Sequence, residues 1–163
     1  MLVWNNTFVS PVAALLMQTP AVSHFFELRN NVFVGPPPGV GPFWPRTVEW
    51  SGGIDHGVFA SDGYWPDGGF KFGARRFASF AAVRRGGLER GGVLLGRRTL
   101  AHVSPLRTYR RLLPRIDASL ARGSRAVDAG ARLPGVTNGY AGRAPDLGAL
   151  ERCRRRPRFG IRP

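Results

Sequence analysis

The chain is 163 residues long, enough for one domain with a sizeable hydrophobic core. Its 22 Gly and 14 Pro stand well above ordinary usage and exclude an architecture of long helices. The formal net charge of +14 rests on 23 Arg and one Lys, and the longest apolar run near the start, residues 12–17, is far short of the roughly 20 residues of a membrane-spanning helix.

Residues 2–9 predict a strand broken by an Asn turn. Residues 10–24 read as a lateral excursion, with Val12–Met17 as a short helix or a loop packed on the strands. Phe25–Leu28 opens a second strand segment and Asn30–Val34 completes it. Val3-Trp4-Asn5-Asn6-Thr7-Phe8-Val9 and Leu28-Arg29-Asn30-Asn31-Val32-Phe33-Val34 are thus two copies of one pattern, 25 positions apart. A repeat at that period points to stacked turns of chain rather than an ordinary sheet. Asn5, Asn6, Asn30 and Asn31 are then expected to form a structural ladder. Stacked amide side chains bond to their copies about 4.7–4.9 Å away, and Asn accepts the left-handed backbone of a sharp corner.

Gly35-Pro36-Pro37-Pro38-Gly39 ends regular structure, because Pro donates no ladder hydrogen bond. Val48–Trp50 reads as a strand and a candidate third rung, and Ile54–Ala60 as another strand. Turn chemistry at Asp62-Gly63 and Pro66–Gly69 flanks Tyr64 and Trp65, and Phe70–Phe72 alternates as a short strand. Residues 75–85 are the expected helix: Phe77, Phe80 and Ala81 share a face, paired Arg sit at both ends, and Gly86-Gly87 supplies the stop. Val93–Leu95 reads as a brief strand, Pro105 and Pro114 as loop centres, and Ile116–Leu120 as one further strand.

The chain therefore divides into residues 1–74 (strands and loop excursions), 75–151 (short helix and C-terminal capping region) and 152–163 (a basic, disordered tail). Charge follows the division. Residues 1–74 hold three basic and five acidic side chains, and residues 75–163 hold 21 and five.

Three further segments follow the Asn repeats: Asp62-Gly63-Tyr64-Trp65-Pro66-Asp67-Gly68, residues 120–130 (LARGSRAVDAG) and residues 144–151 (APDLGALE). In this order they resemble the closing portion of bacterial right-handed parallel β-helix repeat proteins. In those proteins an hNNxF rung recurs and the array ends in a SPAhDAG … PDhGAhE pair. The resemblance covers roughly residues 2–151, with Arg125 where Pro is commoner, Leu150 where an aromatic is common, and few rungs. It implies an all-β fold, the end fragment of a right-handed parallel β-helix (solenoid) with irregular Pro/Gly-rich loops and one short helix. It also implies a longer, secreted parent (extracellular, periplasmic or cell-surface). Many such parents are lyases or glycoside hydrolases acting on acidic polysaccharides. Their catalytic groups lie on central coils, so no catalytic residue carries over to a position here. Calcium occurs in the family type, but no residue pattern here supports it.

The candidate substrate-binding residues are Asp62, Tyr64, Trp65 and Asp67, two aromatics whose faces suit a sugar ring set between two carboxylates, and Arg29, which suits a uronate carboxylate bidentately. Asp55 and His56 adjoin this cluster. Asp128 and Asp146 sit beside Gly in short turns and are expected to cap backbone N–H groups at the end of the array. Other chemistry is excluded by pattern. Cys153 is the single cysteine, so no internal disulfide exists, and with three scattered His it gives no zinc spacing. The Asp residues do not follow an EF-hand loop, His24, His56 and His102 accompany no nucleophile elbow, and Gly35–Gly39 lacks the N–H groups of a phosphate loop. No cofactor or metal is expected.

No signal-peptide pattern opens the chain, since a positive n-region is missing and Asn5, Asn6 and Thr7 interrupt any apolar stretch. The expected partner is a polysaccharide. A basic nucleic-acid-binding protein is the alternative raised by the charge of residues 75–163. It ranks second because the Arg-to-Lys skew points to coding bias, and aromatics are not interleaved with Arg as stacking platforms need. The remaining alternative is a truncated open reading frame with no activity of its own.

Overall fold

A computed structural model describes residues 1–103 and 117–155. The chain makes three passes, each contributing one short strand to each of three sheets. The first pass is β1 (Leu2–Trp4), β2 (Thr7–Val9), β3 (Leu15–Met17) and β4 (Ser23–His24). The second is β5 (Glu27–Arg29), β6 (Val32–Val34), β7 (Arg46–Trp50) and β8 (Ile54–Asp55). The third is β9 (Val58–Ala60), β10 (Gly63–Trp65) and β11 (Gly69–Phe72). Equivalent strands pair in parallel, giving sheet A (β1-β5-β9), sheet B (β2-β6-β10), sheet C (β3-β7-β11) and the two-stranded β4-β8.

Three-residue strands bury too little to hold together alone, so the stacking of like on like stabilises them. Side chains alternate across each strand. Val3, Leu28 and Phe59 form one inward column, and Leu15, Val48 and Phe70 form another. The third is aromatic: Phe8 stacks on Phe33 with centroids 5.1 Å apart, and Phe33 on Tyr64, also at 5.1 Å. In the remaining interior Phe26 stacks on Trp50 at 4.6 Å, and Phe59 meets Phe26, Trp50 and Phe72 edge to face.

After the third pass the regular stacking gives way to covering elements. β12 (Arg75–Phe77) runs antiparallel to β11 on its far edge, and α1 (Phe80–Arg85) lays Phe80 and Val83 over Tyr64 and Phe70. β13 (Val93–Leu94) then adds in parallel to β10. Residues 120–151 run without regular strands across the outer face of sheet B. There Leu120, Ala126 and Leu147 pack on Val32, Val34 and Trp65. Gly63 makes this approach feasible, because a Cβ on it would lie 2.9 Å from Leu95 and 3.0 Å from Leu147.

The all-β expectation, with one short helix, matches the described residues. Local boundaries differ for physical reasons. The stretch ending at Met17 is a strand, because Leu15 and Met17 alternate inward over Val48 and Trp50. The helix starts at Phe80 rather than Arg75, since residues 75–77 are taken by pairing with β11. Ser79 caps it through Ala82 N–H. Arg46–Trp50 belongs to sheet C. The third copy of the Asn-Asn corner is Ser61-Asp62, 31 residues after the second. Leu120 makes only an antiparallel bridge to Leu100. The expected loops around Pro105 and Pro114, residue Ile116 and tail residues 156–163 lie outside the described residues. No helix among the described residues is long and apolar enough to cross a membrane.

Phe33 is sandwiched between two rings and 2 % exposed, whereas Phe8 is 41 % exposed with one covered face. Phe33→Ala is therefore expected to lower stability by about 3–5 kcal/mol and Phe8→Ala by about 1 kcal/mol, read from urea midpoints. Equal losses would contradict the stacked interior.

Candidate functional site

The corner between sheets A and B is built the same way in every pass. Asn5, Asn30, Ser61 and Gly91 follow one another in register, all left-handed, with φ of 53°, 56°, 57° and 79°. After the first three corners the next residue enters a buried hydrogen-bonded ladder, and Glu89, two residues before the Gly91 corner, ends it. Asn31 Oδ1 accepts from Asn6 N–H at 3.0 Å and from Asn6 Nδ2 at 3.3 Å. Asp62 Oδ1 accepts from Asn31 N–H at 2.7 Å and Asn31 Nδ2 at 2.8 Å. Glu89 Oε2 accepts from Asp62 N–H at 3.3 Å, and Glu89 Oε1 accepts from the Tyr64 hydroxyl at 2.7 Å. Asn30 works differently: its amide grips Ala131 N–H and C=O, both at 2.8 Å, and ties residues 120–151 to sheet B.

The structure thus disperses the sequence-derived sugar-binding cluster. Asp62 and Tyr64 are fully buried in the interior and offer no atom to a ligand in solvent. Trp65 is on the outer face of sheet B beneath residues 120–151, 8 % exposed. Asp67 accepts from Phe80 N–H at 2.9 Å, at the start of α1. Asp128 Oδ1 accepts from Arg143 and Ala144 N–H at 2.8 and 3.3 Å. Asp146 accepts from Asp128 and Arg152 N–H at 2.8 and 2.6 Å, so both carboxylates hold turns.

Arg29 alone of the five faces an open cleft, about 660 Å³, across the outer face of sheet A. Val3, Leu28 and Phe59 point inward, so Trp4, Arg29, Ala60 and Arg90 form the outward column. Glu27 accepts a hydrogen bond from Arg29 Nε and fixes that side chain on the cleft wall. Arg90 is exposed and makes no ion pair among the described residues. Ala60 and Gly57 keep the floor low between the two guanidiniums, and Gly87 and Leu88, just beyond α1 with its terminal Arg84 and Arg85, form the far wall. Arg90 was missed in the sequence because it joins Arg29 only once Ala60-Ser61-Asp62 is aligned with Arg29-Asn30-Asn31 at a spacing of 31.

A second exposed constellation lies at the β4–β8 corner. Asp55 accepts from His24 Nδ1 at 2.8 Å and His56 Nδ1 at 2.7 Å, and Phe25, 71 % exposed, stacks on His56 at 5.1 Å. The two imidazoles hold the Asp55 carboxyl below its usual range. On sheet C, burial opposes ionisation of Glu49, but Lys71 at 2.8 Å and Arg46 at 2.6 Å outweigh it and lower its pKa. Among the described residues no three His, Cys, Asp or Glu side chains converge as a metal site.

No family model matches the chain, and comparison with curated proteins and with solved structures likewise finds no match.

The ladder has an electrostatic consequence. Burial pushes the Glu89 carboxyl up to about 7, and burial together with the Glu89 charge raises Asp62 well above the usual carboxylate range. An unfolded Glu ionises near 4.5, so between about pH 4.5 and 7 the folded chain holds protons that the unfolded chain has released. The stability this contributes is complete below that window and is lost as pH rises through it, on the order of 3 kcal/mol for Glu89. Urea midpoints are expected to fall from pH 5 to pH 8 in the parent chain and to fall less steeply in Glu89→Gln, where Asp62 alone remains raised by burial. An unchanged slope in the variant would assign the pH dependence elsewhere.

Proposed function

We propose that the chain forms the closing coils of a right-handed parallel β-helix and that the cleft on its sheet A binds an acidic polysaccharide. The coil reading is supported by three successive passes that stack strand on strand in parallel register, with the same left-handed corner and ladder residue each time. The binding reading rests on one observation: Arg29 and Arg90 share an outward column with only Ala60 between them. At about 4.8 Å per strand the two backbones stand about 10 Å apart, so the guanidiniums address carboxylates on different sugar units. Guanidinium forks match carboxylates bidentately, and the open, shallow floor admits a chain rather than a compact ligand.

The cleft lining contains no pair of carboxylates flanking a bond, as glycosidic hydrolysis by acid and base requires. The activity this face supports is therefore binding rather than acid–base glycoside hydrolysis. A secreted parent is the setting in which such a polymer is met.

Calorimetric titration with polygalacturonate is expected to show binding that Arg29→Ala and Arg90→Ala each weaken roughly tenfold or more, the scale of one charge-assisted hydrogen-bonded pair. Arg143→Ala, a highly exposed residue distant in sequence from the cleft, is the control and should leave affinity unchanged. Binding to neutral dextran equal to that for polygalacturonate would overturn the reading. So would tighter, steeply salt-dependent binding to double-stranded DNA, which would favour the nucleic-acid alternative.

A further inference from the structure

The two ends of the stack are chemically opposite. Beyond the third pass, antiparallel β12 covers β11, parallel β13 covers β10 and α1 lies over the interior, whereas β1, β2 and β3 are each the outermost strand of their sheets, with one edge unpaired. That open end is apolar. Met1, Phe8 and Leu16 are 59, 41 and 36 % exposed there. A hollow of about 330 Å³ is lined by Val3, Phe8, Ala14, Leu15 and Met17, with Phe33 and Trp50 at its base. In a chain of net charge +14, residues 1–26 contain no Asp, Glu, Lys or Arg. Charge depletion of this kind marks the core of an interface, and three bare strand edges are templates for further pairing.

The hydrogen-bond pattern specifies what would pair. Val32, Gly63 and Val93 each donate their N–H to the corner carbonyl of the pass before, Asn6, Asn31 and Asp62, at 2.8, 2.8 and 2.9 Å. Thr7 occupies the same register position as Val32, on the outermost strand of its sheet. The ladder oxygens of Asn31, Asp62 and Glu89 each accept an N–H from the preceding pass, and the Asn6 amide oxygen is the next in that series. Within this first pass Trp4 Nε1 and Asn5 Oδ1 are also buried without a hydrogen-bond partner. Chemically, the face is what residues 27–50 present to residues 2–17, one pass further along.

We infer that this face is an interface for one further parallel coil patterned like residues 2–17 and entering at the corner Met1 occupies. That coil would add one strand to each of the three sheets. Its corner carbonyl accepts from Thr7 N–H, its ladder N–H donates to the Asn6 amide oxygen, and its apolar side chains fill the hollow above Phe8 and Leu15. The inference rests on reading the passes as β-helix coils; it is independent of what the sheet A cleft binds.

The test is a chain with residues 2–26 duplicated in tandem ahead of Leu2, compared with the parent by thermal unfolding, amide hydrogen exchange and binding of the dye ANS. The extended chain is expected to gain about 5 °C or more in Tm, to lose most of the ANS emission, and to protect the original Thr7 amide roughly a hundredfold. An unchanged Tm with an unprotected Thr7 overturns the inference. If the extended chain does not fold, sedimentation of the parent still decides. A monomer whose ANS emission is removed by Phe8→Asp supports an unfilled coil site. A concentration-dependent dimer abolished by that substitution assigns the face to a second copy and overturns the coil. Failure of the β-helix reading itself is distinguishable, because both chains would then give a helix-dominated circular dichroism spectrum.

Discussion

The structure depends on a short line of buried hydrogen bonds, Asn6 to Asn31 to Asp62 to Glu89 to Tyr64. Strands of three residues carry little information about which neighbour they should pair with, and a slip of one residue would turn every inward side chain outward. The ladder removes that freedom. An amide or carboxylate at each corner finds its partner only when the passes are aligned, and in any other register it would be buried unpaired at a cost of about 1–3 kcal/mol each. Once aligned, the same register brings Phe8, Phe33 and Tyr64 into one stack. The polar line sets specificity and the aromatic column supplies cohesion.

Legibility in the sequence followed this logic. The doubled Asn was visible because two consecutive passes use identical residues at a spacing of 25. The third pass was not, because Ser61 and Asp62 perform the same two tasks with different side chains and a longer intervening loop. The Leu15–Met17 strand was obscured because it ends the continuous apolar run Val12–Met17, and only pairing with β7 selects extended structure there. Asp62 and Tyr64 looked like surface recognition residues in a turn-rich context, yet they face inward, since a residue after a left-handed corner is directed into the stack. The Arg29–Arg90 column and the His24–Asp55 pair join residues 61 and 31 positions apart, and no local pattern announces either.

Charge is distributed by a related rule. The interior tolerates two carboxylates because protons and the Tyr64 hydroxyl offset their burial, which ties the ladder's strength to pH. Glu49 instead meets Lys71 and Arg46 on the outer face of sheet C, so it stays ionised. On the sheet A cleft, Arg29 is held by Glu27, while Arg90 makes no ion pair among the described residues.

The segment that covers sheet B bears on how the chain folds in time. Neighbouring passes meet across 25–31 residues, but Asn30 grips Ala131 across 101 residues and Thr7 receives Ala149 across 142. Closing such long loops before any stacked surface exists would cost chain entropy with nothing to offset it. Loop-closure entropy therefore favours stacking of the passes ahead of the C-terminal contacts. Because Asn30 and Thr7 reach that segment from neighbouring passes, it works as a latch that fits only over a stack whose corners are correctly aligned.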